Sequence, residues 1–380
     1  MVSGAFRIEI SRDIETFDRD WARLEADGLL TPFQTRTWLR PLYAILATGM
    51  QAKPLFVLVR HTSTQLPLML LPLCVRRRFG FKMIEFADLG VSDYNAPLIA
   101  RAFNPSAPEW AALWRDIVRQ LSGGSILSLQ KMPSHIEGRA NPLVAWAGAR
   151  PMPVGAWGVG LPATLPEYDS KVLKPTFRRE LAKKERRVAK RGSVVFATAG
   201  SVGEQREIFA VLARQRQLRC EELGRDNDLG NPLIRRFRDA LVEDASSASP
   251  VRLSALKVDG EMVATMFALE HRGTSHVIMT TFAGGDWKSC SPGSILIHKA
   301  IESCLAQGIR TFDLTIGDEA YKKDFGTTRQ PLFSLVRPLT PFGSLLAFAV
   351  KRAVRLREAW RRTAEDVGDS VPAAAREATS

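Results

Sequence analysis

The sequence predicts an α/β fold in two successive lobes, and three observations predict it. Strand-like and helix-like stretches alternate along most of the chain. A Pro/Gly-rich stretch from Pro151 to Pro166 divides it near the middle, and the second half repeats the element order of the first without repeating its residues. With 380 residues, 45% hydrophobic and 24% charged, the chain is large enough for two cores, and wholesale disorder, a collagen repeat and a disulfide scaffold are excluded.

In the first lobe, Phe6 to Ile10 reads as a short strand and Ile14 to Leu24 as a helix. Thr31-Pro32 opens a second helix in which Trp38, Leu39, Leu42, Ile45 and Leu46 recur at helical spacing. Leu55 to Arg60, Leu66 to Val75 and Lys82 to Ala87 are apolar stretches parted by turns, the pattern of an antiparallel meander. Trp110 to Leu121 is helical and Ile126 to Gln130 a strand.

The second lobe begins with a basic helix from Thr176 to Lys190, stopped at Gly192, and continues with a strand from Ser193 to Thr198. Helices follow at Glu204 to Leu223 and Leu233 to Glu243. Asp259-Gly260 then stands between two alternating apolar runs, a strong hairpin signal because a type I′ turn needs positive φ at both central residues. Three antiparallel strands in series are expected between Val251 and Phe282, then a helix from Ile295 to Ala306 ended by Gly308, and a strand from Arg310 to Ile316.

The formal charge of +13 is local: Lys171 to Arg191 carries +8 and Lys351 to Arg362 carries +5, so the remainder is neutral. Cys74, Cys220, Cys290 and Cys304 show no C-x-x-C spacing and no neighbouring His cluster, which indicates neither disulfides nor a metal site and fits a reducing compartment. Arg7, Glu9, Arg12 and Asp13 interrupt the amino terminus where a signal peptide needs an apolar run, and no apolar stretch reaches membrane-spanning length, so a cytoplasmic location is expected. From Phe342 to Arg362 the apolar and basic residues fall on separate helical faces. Such a helix either lies on an anionic membrane surface or docks on the second lobe.

Two segments offer chemistry. In Ser289 to Ser294, Ser291 suits an N-cap, Pro292 the first helical position, and Gly293 a close backbone approach, so Ser291 to Ser294 form a helix start able to hold a pyrophosphate or simply a well-capped helix. In Gly317 to Lys323, at the carboxyl end of a strand, Asp318, Glu319, Tyr321 and two lysines stand together, as an acid/base site or as a solvated turn. Asp93-Tyr94 after Gly90 lines an interlobe cleft or makes a turn. His298 reads as a packing or surface residue rather than a catalytic one, and Cys290 has no paired base in the sequence that would make it a nucleophile.

Ala255 to Gly260, Val263-Ala264, Ser291 to Leu296, Gly308, Phe312-Asp313 and Gly317 to Lys322 together resemble the CelD/BcsL-type acetyltransferases of the GNAT superfamily, named for an association with bacterial cellulose biosynthesis. Thr31 to Gln34, Trp38-Leu39 and Gly90 to Tyr94 resemble the amino-terminal signatures of the same proteins, so the likeness runs from about residue 6 to 335.

The resemblance implies two tandem GNAT-like lobes, 1–150 and 169–340, with mixed, largely antiparallel sheets flanked by helices. A linker at 151–168, a basic amphipathic helix at 341–362 and a disordered tail at 363–380 complete the expected organisation. It further implies transfer of an acetyl or longer acyl group from acetyl-CoA or another acyl-CoA to a small-molecule or glycan-linked amine, without a metal. Ser291, Pro292, Gly293 and Ser294 would hold the donor, Asp318 or Glu319 would act as base and Tyr321 as acid, and Asp93, Tyr94, Asp313 and Lys322 would bind substrate. The R/Q-x-x-G-x-G/A pyrophosphate fingerprint is absent from the sequence; its nearest approach, Gln120 to Ser125, lies in the other lobe. Two other readings stand beside this one: a Fem-like transferase taking an aminoacyl group from tRNA, with the basic helix on RNA phosphates, and a non-catalytic GNAT-shaped scaffold of polysaccharide production.

Overall fold

The computed structural model describes residues 5–78, 80–246, 249–341 and 343–344. The expected helix at 341–362 and the tail at 363–380 therefore lie essentially outside the described residues.

The first half runs β1 (Phe6–Ser11), α1 (Asp18–Asp27), α2 (Arg36–Pro41), β2 (Lys53–His61), β3 (Pro67–Arg78), β4 (Phe81–Phe86), β5 (Leu98–Ile99), α3 (Ala107–Gln120) and β6 (Ile126–Pro133). Short elements follow: β7 (His135–Ile136), β8 (Arg139–Ala140) and α4 (Pro142–Ala145). Then come β9 (Arg150–Gly160), α5 (Leu165–Glu167), α6 (Pro175–Ala189), β10 (Val194–Thr198), α7 (Val202–Leu223) and α8 (Pro232–Val242). The second half closes with β11 (Val251–Val258), β12 (Glu261–His271), β13 (Thr274–Phe282), α9 (Pro292–Ala306), β14 (Thr311–Ile316) and β15 (Thr328–Pro338). The predicted type I′ hairpin is present, with Asp259 at φ 46° and Gly260 at φ 87°.

One mixed sheet joins both halves in the order β1-β2-β3-β4-β6-β15-β9-β14-β13-β12-β11-β10, with β5 beside β3. Each lobe repeats the same unit, a three-strand meander, a helix and a returning strand parallel to the last of the meander. The parallel pairs are β4 with β6 (Met83–Glu85 on Ile126–Ser128) and β13 with β14 (Thr274–His276 on Thr311–Asp313).

Two central strands were not legible as such. Residues 151–168, expected as a linker, contain most of β9, which pairs with both β14 and β15. Gly155 admits a close neighbour: a Cβ there would stand 2.7 Å from the Arg329 guanidinium carbon. β15 returns from the end of the described chain to pair with β6 of the first lobe, so the lobes interlock.

Packing divides accordingly. α1, α2, α7 and α8 share one core on one face of the sheet, where Trp38, Phe56 and Leu58 meet Phe237, Leu253 and Phe267. On the opposite face α3 covers the first lobe, while α6 and α9 cover the second through Leu181, Val188, Leu296 and Ile301. Each such large side chain taken out of water contributes about 1.5–3 kcal/mol, which makes the shared face the main adhesive between lobes. Arg272, at the β12–β13 turn, donates to the carbonyls of Glu25, Ala26 and Gly28 at the end of α1, and so caps a helix of the other lobe.

Candidate active site

The site begins where β13 and β14 separate. Ile278 bulges out of β13, since Val277 faces Ala268 and Met279 faces Phe267. β14 is kinked at the same level: Thr315 has φ 55°, and its register against β9 jumps between Asp313 and Ile316. A bulge bends its strand and ends pairing, so two at one level open a gap. Past His276 and Asp313, the Thr315 hydroxyl bonded to the Val277 carbonyl at 2.9 Å still bridges the strands.

Asp313 fixes the kink and the lobe contact together. It accepts from the Thr315 amide at 2.8 Å, from the Tyr94 hydroxyl at 3.0 and 2.8 Å, and stands 3.1 Å from His276 Nδ1. Burial and this carboxylate hold the Tyr94 phenol well above its ordinary pKa, so it remains a donor. Tyr94 is presented by the loop after β4, which Asp88 organises: its carboxylate accepts from the amides of Gly90 and Ser92, the Asn95 side chain and Lys131.

Asp93, beside Tyr94, is half-buried, and burial pushes its carboxyl up to about 6, against the pull of Thr315, Lys131 and Arg238 and with the push of Asp313. Arg238 lies 2% exposed on α8, its guanidinium 4.9 Å from the Trp38 ring centre, with Nη2 donating to the Val91 carbonyl and Nε and Nη1 without partners. Burial lowers its pKa to about 10, and it stays charged.

Three of the four expected substrate residues, Asp93, Tyr94 and Asp313, thus meet across the lobes. Lys322 does not join them. It is 3% exposed, and its Nζ ties off the end of β14 by donating to the carbonyls of Thr315, Ile316 and Gly317 at 3.3, 2.9 and 3.1 Å, with Glu319 at 3.0 Å. The expected acid/base residues divide as well. Asp318 is held by Arg329, by Trp157 Nε1 at 2.9 Å and by the Gly155 amide at 3.3 Å; the Arg329 hydrogen bond keeps its carboxyl below the usual range. Its lone pairs are occupied and its basicity is low, so it anchors β9 to β15. Glu319 and Tyr321 are exposed beside it, the phenol pushed up to about 12 by packing around the ring and by Glu319.

The expected donor loop stands at the start of α9, but Ser291 does not cap it through its side chain: the residue is left-handed at φ 47° and no side chain closes the helix. α3, the counterpart in the first lobe, is closed by a capping box of Ser106 and Glu109. Pro292 takes the first helical position as expected. Gly293 is buried, and a Cβ there would fall 3.2 Å from the Phe282 ring, so its smallness also serves packing. α6 flanks the loop, with Arg187 3.5 Å from the Ser289 carbonyl and, just past the helix, Arg191 5.0 Å from the Trp287 ring centre. His298 packs as expected, its Nε2 2.8 Å from Asp169. Cys290 is buried.

Residues 175–323 match the family described as Acetyltransferase (GNAT) domain. Over that span the second lobe is similar to GNAT domains. In the solved structure of FemX the fold recurs at a TM-score of 0.57 and 10% identity, over 86% of this chain and 96% of that one. A conserved protein of unknown function from Bacteroides thetaiotaomicron matches at 0.52 and 11%, over 86% and 99%. A tandem GNAT protein from the clavulanic acid biosynthesis pathway matches at 0.47 and 14%, over 88% and 99%. At such identities the likeness concerns the fold. No curated protein matches the sequence.

His276, Thr315, Lys131 and Arg238 were missed by sequence reasoning. Arg238 had a signal, being a charge on the stripe formed by Ile234, Phe237 and Leu241; the others had none. Among the described residues no group of three or more His, Cys, Asp or Glu could hold a metal, and no helix is long and apolar enough to cross a membrane.

Proposed function

We propose that this chain is an N-acyltransferase that moves an acetyl or longer acyl group from an acyl-CoA to an amine held between the lobes. The observation that carries the reading is the parting of β13 and β14 directly beside the Asp93–Tyr94–Asp313 cluster, with the uncapped start of α9 at the far end of β13. Amides at a helix start attract phosphate, so Ser291 to Ser294 hold the donor's pyrophosphate and the pantetheine arm follows the free edge of β13.

Asp93 takes a proton from the acceptor ammonium, for which a carboxylate of pKa about 6 is suited near neutrality. The amine attacks the thioester carbonyl carbon, backbone amides of the β13 edge receive the developing oxyanion, and the C–S bond breaks. Tyr321 passes its proton to the departing sulfur, so that CoA leaves as the thiol, and is reprotonated by the surplus proton of the newly acylated nitrogen; Glu319 shapes the rim, and Asp313 positions rather than reacts. Asp318 and Lys322 hold the frame. The CelD/BcsL kinship and a tie to exopolysaccharide or envelope synthesis, with work at the inner membrane face, belong to this proposal on the sequence motifs.

Calorimetry with acetyl-CoA and longer acyl-CoAs tests it, with Ser294→Asp as the probe. A carboxylate in the first helical turn favours the helix dipole while repelling a pyrophosphate, so donor affinity falls and stability does not. Absence of binding by every acyl-CoA overturns the reading. The exposed basic face of α6, where Lys174, Arg178, Arg179, Arg186 and Lys190 lack acidic partners among the described residues, favours one second reading, a tRNA-borne aminoacyl donor. A salt-sensitive tRNA complex without CoA binding would select it.

A further inference from the structure

The first lobe contains its own version of the strand separation. β4 and β6 pair in parallel over Met83–Glu85 and Ile126–Ser128 and then part, as β13 and β14 do. A cavity of about 320 Å³ opens there, lined by Arg76, Arg78, Glu85, Asn95, Ser128 and Lys131 among others. Its volume falls in the range of small-molecule sites, and ligands of α/β sheets collect beyond the carboxyl ends of parallel strands.

The chemistry of the lining separates it from a second donor site. α3, which comes after β4 and the short β5, has its amino end closed by Glu109, a carboxylate standing where a pyrophosphate would otherwise lie. The carboxylates in the wall are already engaged. Asp88 accepts from the Gly90 and Ser92 amides, Asn95 and Lys131, and Glu85 accepts from Arg76 Nε at 2.7 Å. What remains for a guest is mostly donors: Nη2 of Arg76 above all, since Nη1 lies 4.0 Å from Met50 Sδ, and beside it the Ser128 hydroxyl, which accepts from Gln130 Nε2 at 3.3 Å and keeps its own proton to give. Lys131 joins this cavity to the reaction centre: its Nζ binds Asp88 at 3.0 Å and the Ser92 carbonyl at 2.8 Å, one residue from Asp93.

We infer that the first-lobe cavity binds the body of the acceptor, a small hydroxyl-bearing molecule with one oxyanion, phosphate or carboxylate, which Arg76 receives while the amine reaches Asp93. This inference rests on the acyltransferase reading for the amine's fate but not for binding. Titration of the full chain, without donor, with glucose 6-phosphate, gluconate, inorganic phosphate and glucose is the test. Glucose 6-phosphate or gluconate is expected to bind, the stronger of the two identifying the oxyanion, and glucose to bind at least tenfold more weakly. Loss of a hydrogen bond to a charged group corresponds to about a 10- to 100-fold loss of affinity in Arg76→Gln, with Arg76→Lys between. Acetyl-CoA affinity should be the same in all three proteins. Binding of none of the four probes, equal binding in Arg76→Gln with its fold intact by circular dichroism, or inorganic phosphate binding as well as the larger anions overturns the inference. Anion binding in a protein that ignores every acyl-CoA would leave this site standing and remove the acyltransferase reading.

Discussion

The Tyr94 hydroxyl donates to both carboxylate oxygens of Asp313, at 3.0 and 2.8 Å, and joins residues 219 positions apart. The same carboxylate accepts from the Thr315 amide, so the kink that opens β14 from β13 and the contact between lobes depend on one group.

Tyr94→Phe therefore loses a hydrogen bond to a half-buried carboxylate, worth about 1.5–3 kcal/mol. Denaturant unfolding should show that loss, and acyl transfer should slow because Asp313 no longer holds the kink firmly. Unchanged stability would mean that His276 and Thr315 suffice.

Asp93 yields a prediction with two opposite slopes. Its carboxyl stands near 6 when folded, against 3.8 ordinarily, so the folded state binds more protons between these values. Stability therefore falls as pH rises from about 4 to 6 and is flat above, whereas kcat/KM rises over the same interval as the base becomes available. Asp93→Asn should remove both trends and lower turnover by about 10²- to 10⁴-fold. An acid limb that persists in Asp93→Asn assigns the base elsewhere.

The local elements were legible because their signals are local. The Asp259-Gly260 turn, the alternation in β14 and the stripes of α3 and α8 need no distant partner. β9 was read as a linker since Pro151, Pro153, Gly155, Gly158 and Gly160 resemble a loop. The prolines lie near one end of the strand, and Gly155 makes room for the Arg329 guanidinium, a reason visible only once that neighbour is placed. For the candidate site, Asp93, Tyr94 and Asp313 are each legible as substrate-binding candidates, whereas their meeting depends on the interlobe register. Asp318 reads as a base because no local pattern shows that Trp157, 161 positions away, and Arg329, across the turn into β15, fold onto it.

Arg272 tests the lobe contact away from the site. It donates to the carbonyls of Glu25, Ala26 and Gly28 and pairs with Glu137. Arg272→Ala leaves the end of α1 uncapped and should cost about 1–3 kcal/mol, seen as a lower Tm, with donor affinity unchanged because α9 lies on the opposite face of the sheet. An unaltered Tm would show that water replaces the guanidinium at no cost.

Asp318 and Lys322 were both read as site residues and are predicted to fail differently. The Asp318–Arg329 pair is exposed, with side-chain exposures of 40% and 39%, and exposed pairs contribute about 0–1 kcal/mol. Asp318→Asn retains an oxygen for Trp157 Nε1, so both stability and turnover should stay close to those of the parent. Lys322 is buried beneath the end of β14, and Lys322→Met strands three carbonyls, for which about 1–3 kcal/mol per unsatisfied group is the general scale. That variant should unfold at clearly lower denaturant. Its remaining folded fraction should lose turnover mainly through kcat, since the freed strand end carries Glu319 and Tyr321 away from the donor sulfur. If Asp318→Asn instead abolishes transfer while Lys322→Met is stable and active, the general base lies in the 317–322 segment after all and Asp93 is a structural carboxylate.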